Sequence, residues 1–149
     1  MSDIALKQLD LGRRGEEFAV AYLEQFGYRI VATNFSLPVG RNRIGARIHV
    51  EVDIVAYDGP VLCFIEVKSR ASDWFAPPQA NVDRRKQRQI TRAARAYRRL
   101  LNITTDPYRY DVITVVFGED RDSPQIELLR KYWTEDQLRK RIWSDHYYD

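Results

Sequence analysis

Two β-rich runs, Val50–Tyr57 and Val61–Lys68, flank the pair Asp58-Gly59, and this constrains the chain more than any other feature. The first run alternates at period two, so an antiparallel hairpin is expected. With Asp58-Gly59 as a two-residue turn, Tyr57 faces Pro60, Asp53 falls opposite Phe64 and Glu51 falls opposite Glu66. Glu51, Asp53, Glu66 and Lys68 then share one face of the sheet. A single-residue bulge would destroy that parity.

Carboxylates set side by side on a sheet repel unless water solvates them, one of them holds a proton, or a cation lies between them. An ordinary solvated strand face carrying an Asp, a Glu and a Lys is the plain alternative. Ile65 and Val67 on one face, with Leu62 and Phe64 beside the charges on the other, point instead to a strand buried on both sides, where idle charges are expensive. Oxygen-only ligands suit Mg²⁺ or Mn²⁺. Magnesium keeps several waters and accepts phosphate oxygens, so Asp53 and Glu66 suffice as protein ligands. Lys68 projects to the same side, where it can hold an attacking water or offset charge developing on a phosphoryl group.

The chain has 149 residues and 44% apolar content with no Gly/Ser-rich or Pro-rich linker, which fits one domain over 1–149. No apolar run is long enough to span a bilayer, and the start Met-Ser-Asp-Ile is not a secretion signal, so neither membrane insertion nor export is expected. The single Cys63 sits in an apolar run and has no internal disulfide partner, in keeping with a reducing, cytoplasmic compartment. His49 and His146 are far apart without cysteine partners, which argues against zinc. The net charge is only +3, yet Arg84, Arg85, Lys86, Arg88, Arg92, Arg95, Arg98 and Arg99 crowd one segment with no acid among them. That is a footprint for a polyanion, with Arg84, Lys86, Arg88 and Arg92 as the candidate nucleic-acid contacts.

Residues 11–26 read as a helix with Phe18, Tyr22 or Leu23, and Phe26 on its apolar stripe, stopped by Gly27. A first strand is expected over 28–35. Ser36–Ala46, with Pro38 and several Gly and Arg, reads as a loop or the tip of an extended hairpin. Ser69–Asn81, with Asp73-Trp74-Phe75 and Pro77-Pro78, reads as a long loop over the site. A second helix runs from Val82 or Asp83 to Leu101, burying Ile90, Ala93, Ala94, Tyr97 and Leu101, with Lys86 on the same stripe one turn before Ile90. Strands follow at 110–117 and 125–129, then a capping box at Thr134 opens a last helix ending near Trp143, with a frayed tail beyond. Trp74, Phe75 and Tyr97 are either packing residues or stacking surfaces for unpaired bases. Glu16, on its own, is an acid favourable to a helix start, and Arg109 is placed to pair with Asp111.

The order helix, three strands, helix, strand around Asp53 and Glu66-Val67-Lys68 resembles the core of the PD-(D/E)xK nuclease superfamily. More closely, the chain resembles the bacterial YraN-type family, assigned as endonucleases and similar to archaeal Holliday-junction resolvases. Gly15-Glu16 with Ala19, Gly27-Tyr28, Asn34, Glu51-Val52-Asp53, Phe64–Arg70, Lys86 and Arg109-Tyr110-Asp111 carry the likeness along nearly the whole chain. The resemblance implies an α/β fold with a restriction-endonuclease-like αβββαβ core, a mixed central sheet flanked by helices. It implies Asp53 and Glu66 as metal ligands with the Val67 carbonyl as a third, Lys68 as the catalytic lysine and Glu16 approaching from the first helix; Glu51 is the weaker candidate. The implied activity is Mg²⁺- or Mn²⁺-dependent hydrolysis of DNA, single-stranded or branched substrates included, by a monomer or homodimer. An RNA-directed nuclease and a binding module that does not cut are the rival readings. Val50 replaces the family's usual Gly, and Gly40–His49 lengthens the hairpin, which bears on substrate choice more than on metal binding.

Overall fold

The computed structural model describes residues 2–72 and 82–138. The elements are α1 (Asp3–Gln25), β1 (Arg29–Arg41), β2 (Arg47–Asp58), β3 (Val61–Ala71), α2 (Arg84–Leu100), β4 (Tyr108–Phe117) and β5 (Gln125–Trp133). The strands form one mixed sheet in the order β1-β2-β3-β4-β5, with β3 and β4 parallel across the α2 crossover and the other pairs antiparallel. One core lies under α1, built on Leu23, Ile54, Ile65 and Phe117, and the other under α2, built on Phe64, Ile90, Val112 and Trp133. This is the expected αβββαβ order with a fifth strand appended. The Asp73-Trp74-Phe75 and Pro77-Pro78 segment, the end of the last helix and the tail lie outside the described residues; Thr134 and Gln137 do make reciprocal capping-box bonds.

Helix α1 starts eight residues earlier than its apolar pattern suggests. Ser2 caps it, its Oγ accepting from the Ala5 N–H at 3.2 Å, and Asp3–Asp10 contains no Gly or Pro. Leu9 in these turns is 62% exposed. Gly15, Ala19 and Leu23 form the buried face at four-residue spacing, whereas Phe26, expected there, is the exposed C-cap before Gly27 at φ +85°. In α2 the buried face is Ile90, Ala93, Ala94 and Tyr97 as expected, but Leu101 stands outside as the C-cap. Tyr97 is a core residue, edge-on to both Phe35 and Phe64, and not a stacking surface.

The β2–β3 hairpin corrects the expected register. Asp58 pairs with Val61 and Tyr57 with Leu62, so Gly59-Pro60 forms the turn. Gly59 takes φ +56° at the first central position, and the proline ring, fixed near φ −65°, suits the second. The shift is by two residues, which preserves parity. Asp53 therefore comes opposite Glu66, one step beyond the last pair, Ile54 with Ile65.

Ser36–Ala46 is mostly strand. β1 runs on to Arg41 and β2 starts at Arg47, so the first hairpin is a long arm ending at Asn42–Ala46. Pro38 survives there because β1 is an edge strand and the pairing slips between Pro38 and Gly40. At Asn34, φ +50°, and its neighbour Asp53 the arm turns over. Val50 and Val52 lie in the α2-side core, whereas Ile54 and Ala56 lie in the α1-side core. Beyond Ile54 the sheet thus forks, β2 leaving with β1 while β3 continues beside β4 to Ala71.

Candidate functional site

The fork is where the acidic residues meet. The Val67 N–H, left without a β2 backbone partner, donates to Asp53 Oδ2 at 2.8 Å and closes the crotch. Asp53 also hydrogen-bonds Glu66, and carboxylate oxygens of Glu16, Glu51 and Asp53 all lie within 4.8 Å of one another. Glu51, the weaker sequence candidate, is therefore a full member of the cluster. The turnover at Asp53 brings it there: Val50 and Val52 face α2, so Glu51 between them faces the α1 side, whereas an unbroken alternation would put it with Val55 on the α2 side.

Glu16 reaches the site because of its neighbour. A Cβ on Gly15 would lie 1.7 Å from Ser69 Oγ, so only glycine allows α1 to approach β3 this closely. Asn34 then hydrogen-bonds the Glu16 carboxyl. Sequence reasoning gave Asn34 no chemical role; its signal was an asparagine at a strand position, a residue that tolerates the left-handed backbone.

The electrostatics are those of acids held together without enough donors. Burial, then the charge of Glu66, then its hydrogen bond and the charge of Glu51 push the Asp53 carboxyl up to about 7, with the Val67 N–H offsetting part of the shift. Burial raises Glu66 as well, opposed by the charges of Lys86 and Lys68. Glu16 is raised by burial and by Asp53, against the Asn34 bond. Glu66 is only 6% exposed and its Oε2 has no hydrogen-bond partner. Lys68 on β3 and Lys86 on the first turn of α2 both act on Glu66, as their parity and helix stripe suggested.

An all-oxygen cluster with an unsatisfied buried oxygen fits a hard divalent cation, which repays desolvation by direct coordination. The cluster holds no His or Cys: His49 stands exposed on the arm, and Cys63 is buried with its thiol pushed up to about 12, chiefly by burial.

The basic helix separates into two kinds of arginine. Arg84, Arg85 and Arg99 are exposed and Arg88 half-exposed. Arg92 donates to the Val39 carbonyl and fastens α2 to the arm. Arg95 pairs with Glu135 at 3.3 Å, and Arg98 lies 3.8 Å over the Tyr108 ring. The segment lacks acids in sequence, yet Glu135 supplies one across 40 residues. Arg109 pairs with Asp111 at 2.8 Å, as expected, and also with Asp58 at 3.1 Å. No helix among the described residues is long and apolar enough to cross a membrane.

Residues 15–115, which span Gly15-Glu16, the fork and α2, match the uncharacterised protein family UPF0102. A UPF0102 protein of Koribacter versatilis is 40% identical over 124 residues, covering 83% of this chain and 79% of the relative. One of Geobacter metallireducens is 39% identical over 83% of this chain and 92% of its own length, and one of Chlorobaculum tepidum is 44% identical over 71% and 74%. The helix-borne Glu16, the forked β2–β3 pair and matches over most of the chain agree: the chain belongs to the UPF0102, or YraN-type, family, a PD-(D/E)xK-like nuclease group.

Proposed function

We propose that the chain is a divalent-cation-dependent endonuclease acting on DNA, with the fork as its active site. One observation carries the reading: acidic side chains converge at the fork, Glu66 Oε2 is buried without a partner, and two lysines act on the same glutamate. A cluster of this kind costs stability unless a cation completes it. Asp53 and Glu66 would hold the ion, assisted by Glu16 and Glu51 directly or through water. The Val67 carbonyl would add a backbone oxygen, because in an extended strand a residue's C=O points to the same edge as its N–H, and that N–H faces Asp53.

Bound Mg²⁺ or Mn²⁺ would lower the pKa of a water and screen the scissile phosphate. Lys68 orients that water and offsets charge on the non-bridging oxygens. Lys86 holds Glu66 ionised and reaches the adjacent phosphate. Arg84 and Arg88, on the first turns of the same helix, hold the flanking backbone. Paired cuts in a branched substrate would take two copies of the chain.

The test is a cleavage assay on duplex, single-stranded and branched DNA and on RNA, with Mg²⁺, Mn²⁺ or chelator. Metal-dependent cutting of DNA with 5′ or 3′ phosphate products is expected. Tight binding without cutting in either metal would reduce the protein to a binding module, and preferential cutting of RNA would replace the substrate.

A further inference from the structure

The arm has a feature that the active site does not use. Between Glu24 and Glu51 the chain contains no acid but carries Arg29, Arg41, Arg43 and Arg47, and the last three fall at the arm's end. Every residue from Arg41 to Arg47 is exposed, with Ile44 at the apex 88% exposed. The tip is nevertheless built to one shape. Asn42 Oδ1 accepts from the Ile44 and Ala46 N–H groups, the Asn42 N–H donates to the Ala46 carbonyl, and Arg41 Nη1 donates to the Gly45 carbonyl at 2.7 Å.

The arm is also fixed to the body. Leu37 and Val50 are buried against the α2-side core, and Arg92 grips Val39 just below the tip. At Gly40 a Cβ would come within 2.9 Å of the Arg92 guanidinium, so this position is held close as well. The tip therefore stands at a set distance from the fork. Six residues separate Asp53 from Arg47, which at ~3.3 Å each is roughly 20 Å, or about six base-pair steps of ~3.4 Å.

We infer that the Arg41–Arg47 tip is a second nucleic-acid contact, in which Arg41, Arg43 and Arg47 hold backbone phosphates about half a helical turn from the acidic fork. The inference rests on the reading that the substrate is a nucleic acid. Three cations on a tip ordered before binding lose little freedom when they engage, and none of them forms an ion pair with a carboxylate among the described residues. An apolar side chain flanked by arginines is also the composition of arms that enter a minor groove, where Ile44 would meet sugars or a base step. A protein partner with an acidic surface is the other occupant of such a tip, and the same experiment separates the two.

Fluorescence anisotropy in chelator measures the affinity of the full chain for a 30-base-pair duplex as salt varies, independently of cleavage. Replacing Arg41, Arg43 and Arg47 together by Gln should weaken binding on the order of tenfold or more at 0.1 M salt and flatten the log–log salt plot by about 0.9 for each phosphate no longer neutralised. Ile44→Ala should weaken binding without changing that slope, since it carries no charge. A circular-dichroism melt confirms that the variants fold. If the triple variant keeps the wild-type affinity and slope while Arg84→Gln with Arg88→Gln loses both, the inference falls and the nuclease reading stands. If the wild-type protein binds no nucleic acid, both fall.

Discussion

Two buried carboxylates on neighbouring strands, Asp111 and Glu66, are treated by the fold in opposite ways. Ile65 pairs with Asp111 and Glu66 with Val112, so the two acids sit one step apart in register but on opposite faces of the sheet. Asp111 is fully buried and fully served: Arg109 meets both its oxygens, and the Lys131 N–H donates at 2.9 Å. Lys131 takes φ +53° beside a slip in the β4–β5 ladder to make that bond. Arg109 is in turn held by Asp58 and the Tyr28 hydroxyl. At the fork the same fold gathers acids, leaves an oxygen of Glu66 bare and tolerates the resulting upward pKa shifts. Around Asp111 donors are supplied; at the fork they are withheld, which is the gap the proposed cation would fill.

The largest effect expected from this contrast is on activity. Asp53→Asn, Glu66→Gln and Lys68→Ala should each lower cleavage by about 10²–10³-fold or more, while the melting temperature of the carboxylate variants stays level or rises because repulsion is relieved. Single-turnover cleavage read beside calorimetric unfolding checks both halves. A carboxylate variant that loses stability and keeps its rate would make the fork an architectural cluster like the one around Asp111.

Asp111→Asn should behave in the reverse sense. It removes the charge that faces Arg109, which keeps Asp58 at 3.1 Å and the Tyr28 hydroxyl as partners, so the loss is that of charge-assisted hydrogen bonds, about 1.5–3 kcal/mol. Denaturant unfolding should show that loss, with metal affinity unchanged in the fraction that remains folded. Full stability in this variant would erase the distinction between the two regions from the other side.

The contrast was only partly legible in the chain. Period-two patterning was enough to put Asp53, Glu66 and Lys68 at one place, because a register error of two residues keeps every side chain on its face. It did not locate the turn, because the Asp58-Gly59 pair outweighed a signal beside it: Pro60 has no N–H to close a turn onto Tyr57, whereas Val61 can close one onto Asp58. The length of the arm was hidden by Pro38 and Gly40, which argue for a loop unless the strand is known to lie at an edge. Glu51 joins the site through the turnover at Asn34 and Asp53, a property of two strands together. Arg109 and Asp111 are two residues apart, so their pairing was visible; Arg95 and Glu135 are 40 apart, so theirs was not.

A smaller effect concerns pH. In chelator the folded Asp53 titrates at about 7 against an ordinary 3.8, so between those values the native state holds a proton that the unfolded chain has released. Stability should therefore fall as pH rises from about 4 to 7, on the order of 1–3 kcal/mol, and level off above. Asp53→Asn should remove most of that slope. Added Mg²⁺ needs the ionised carboxylates, so its stabilisation should grow with pH over the same window and oppose the fall. Thermal melts at several pH values, with and without metal, read both trends, and a stability that rises with pH in chelator would show the fork to be satisfied without a cation.

The smallest effect tests whether the same division runs through the arginines of α2. Arg92 is committed to the Val39 carbonyl, as Arg109 is to Asp111, whereas Arg88 on the preceding turn is half-exposed and offered to a ligand in the proposed function. Arg92→Gln should then cost about 1 kcal/mol of stability, the worth of a hydrogen bond, and loosen the arm. Arg88→Gln should leave stability within about 0.5 kcal/mol and instead flatten the salt dependence of DNA binding by roughly 0.9. Denaturant melts and salt titrations on the two single variants separate them. If both variants shift the salt slope equally and neither shifts the melt, Arg92 is a phosphate contact in spite of its bond to Val39, and apolar packing, Phe35 and Leu37 included, holds the arm to α2.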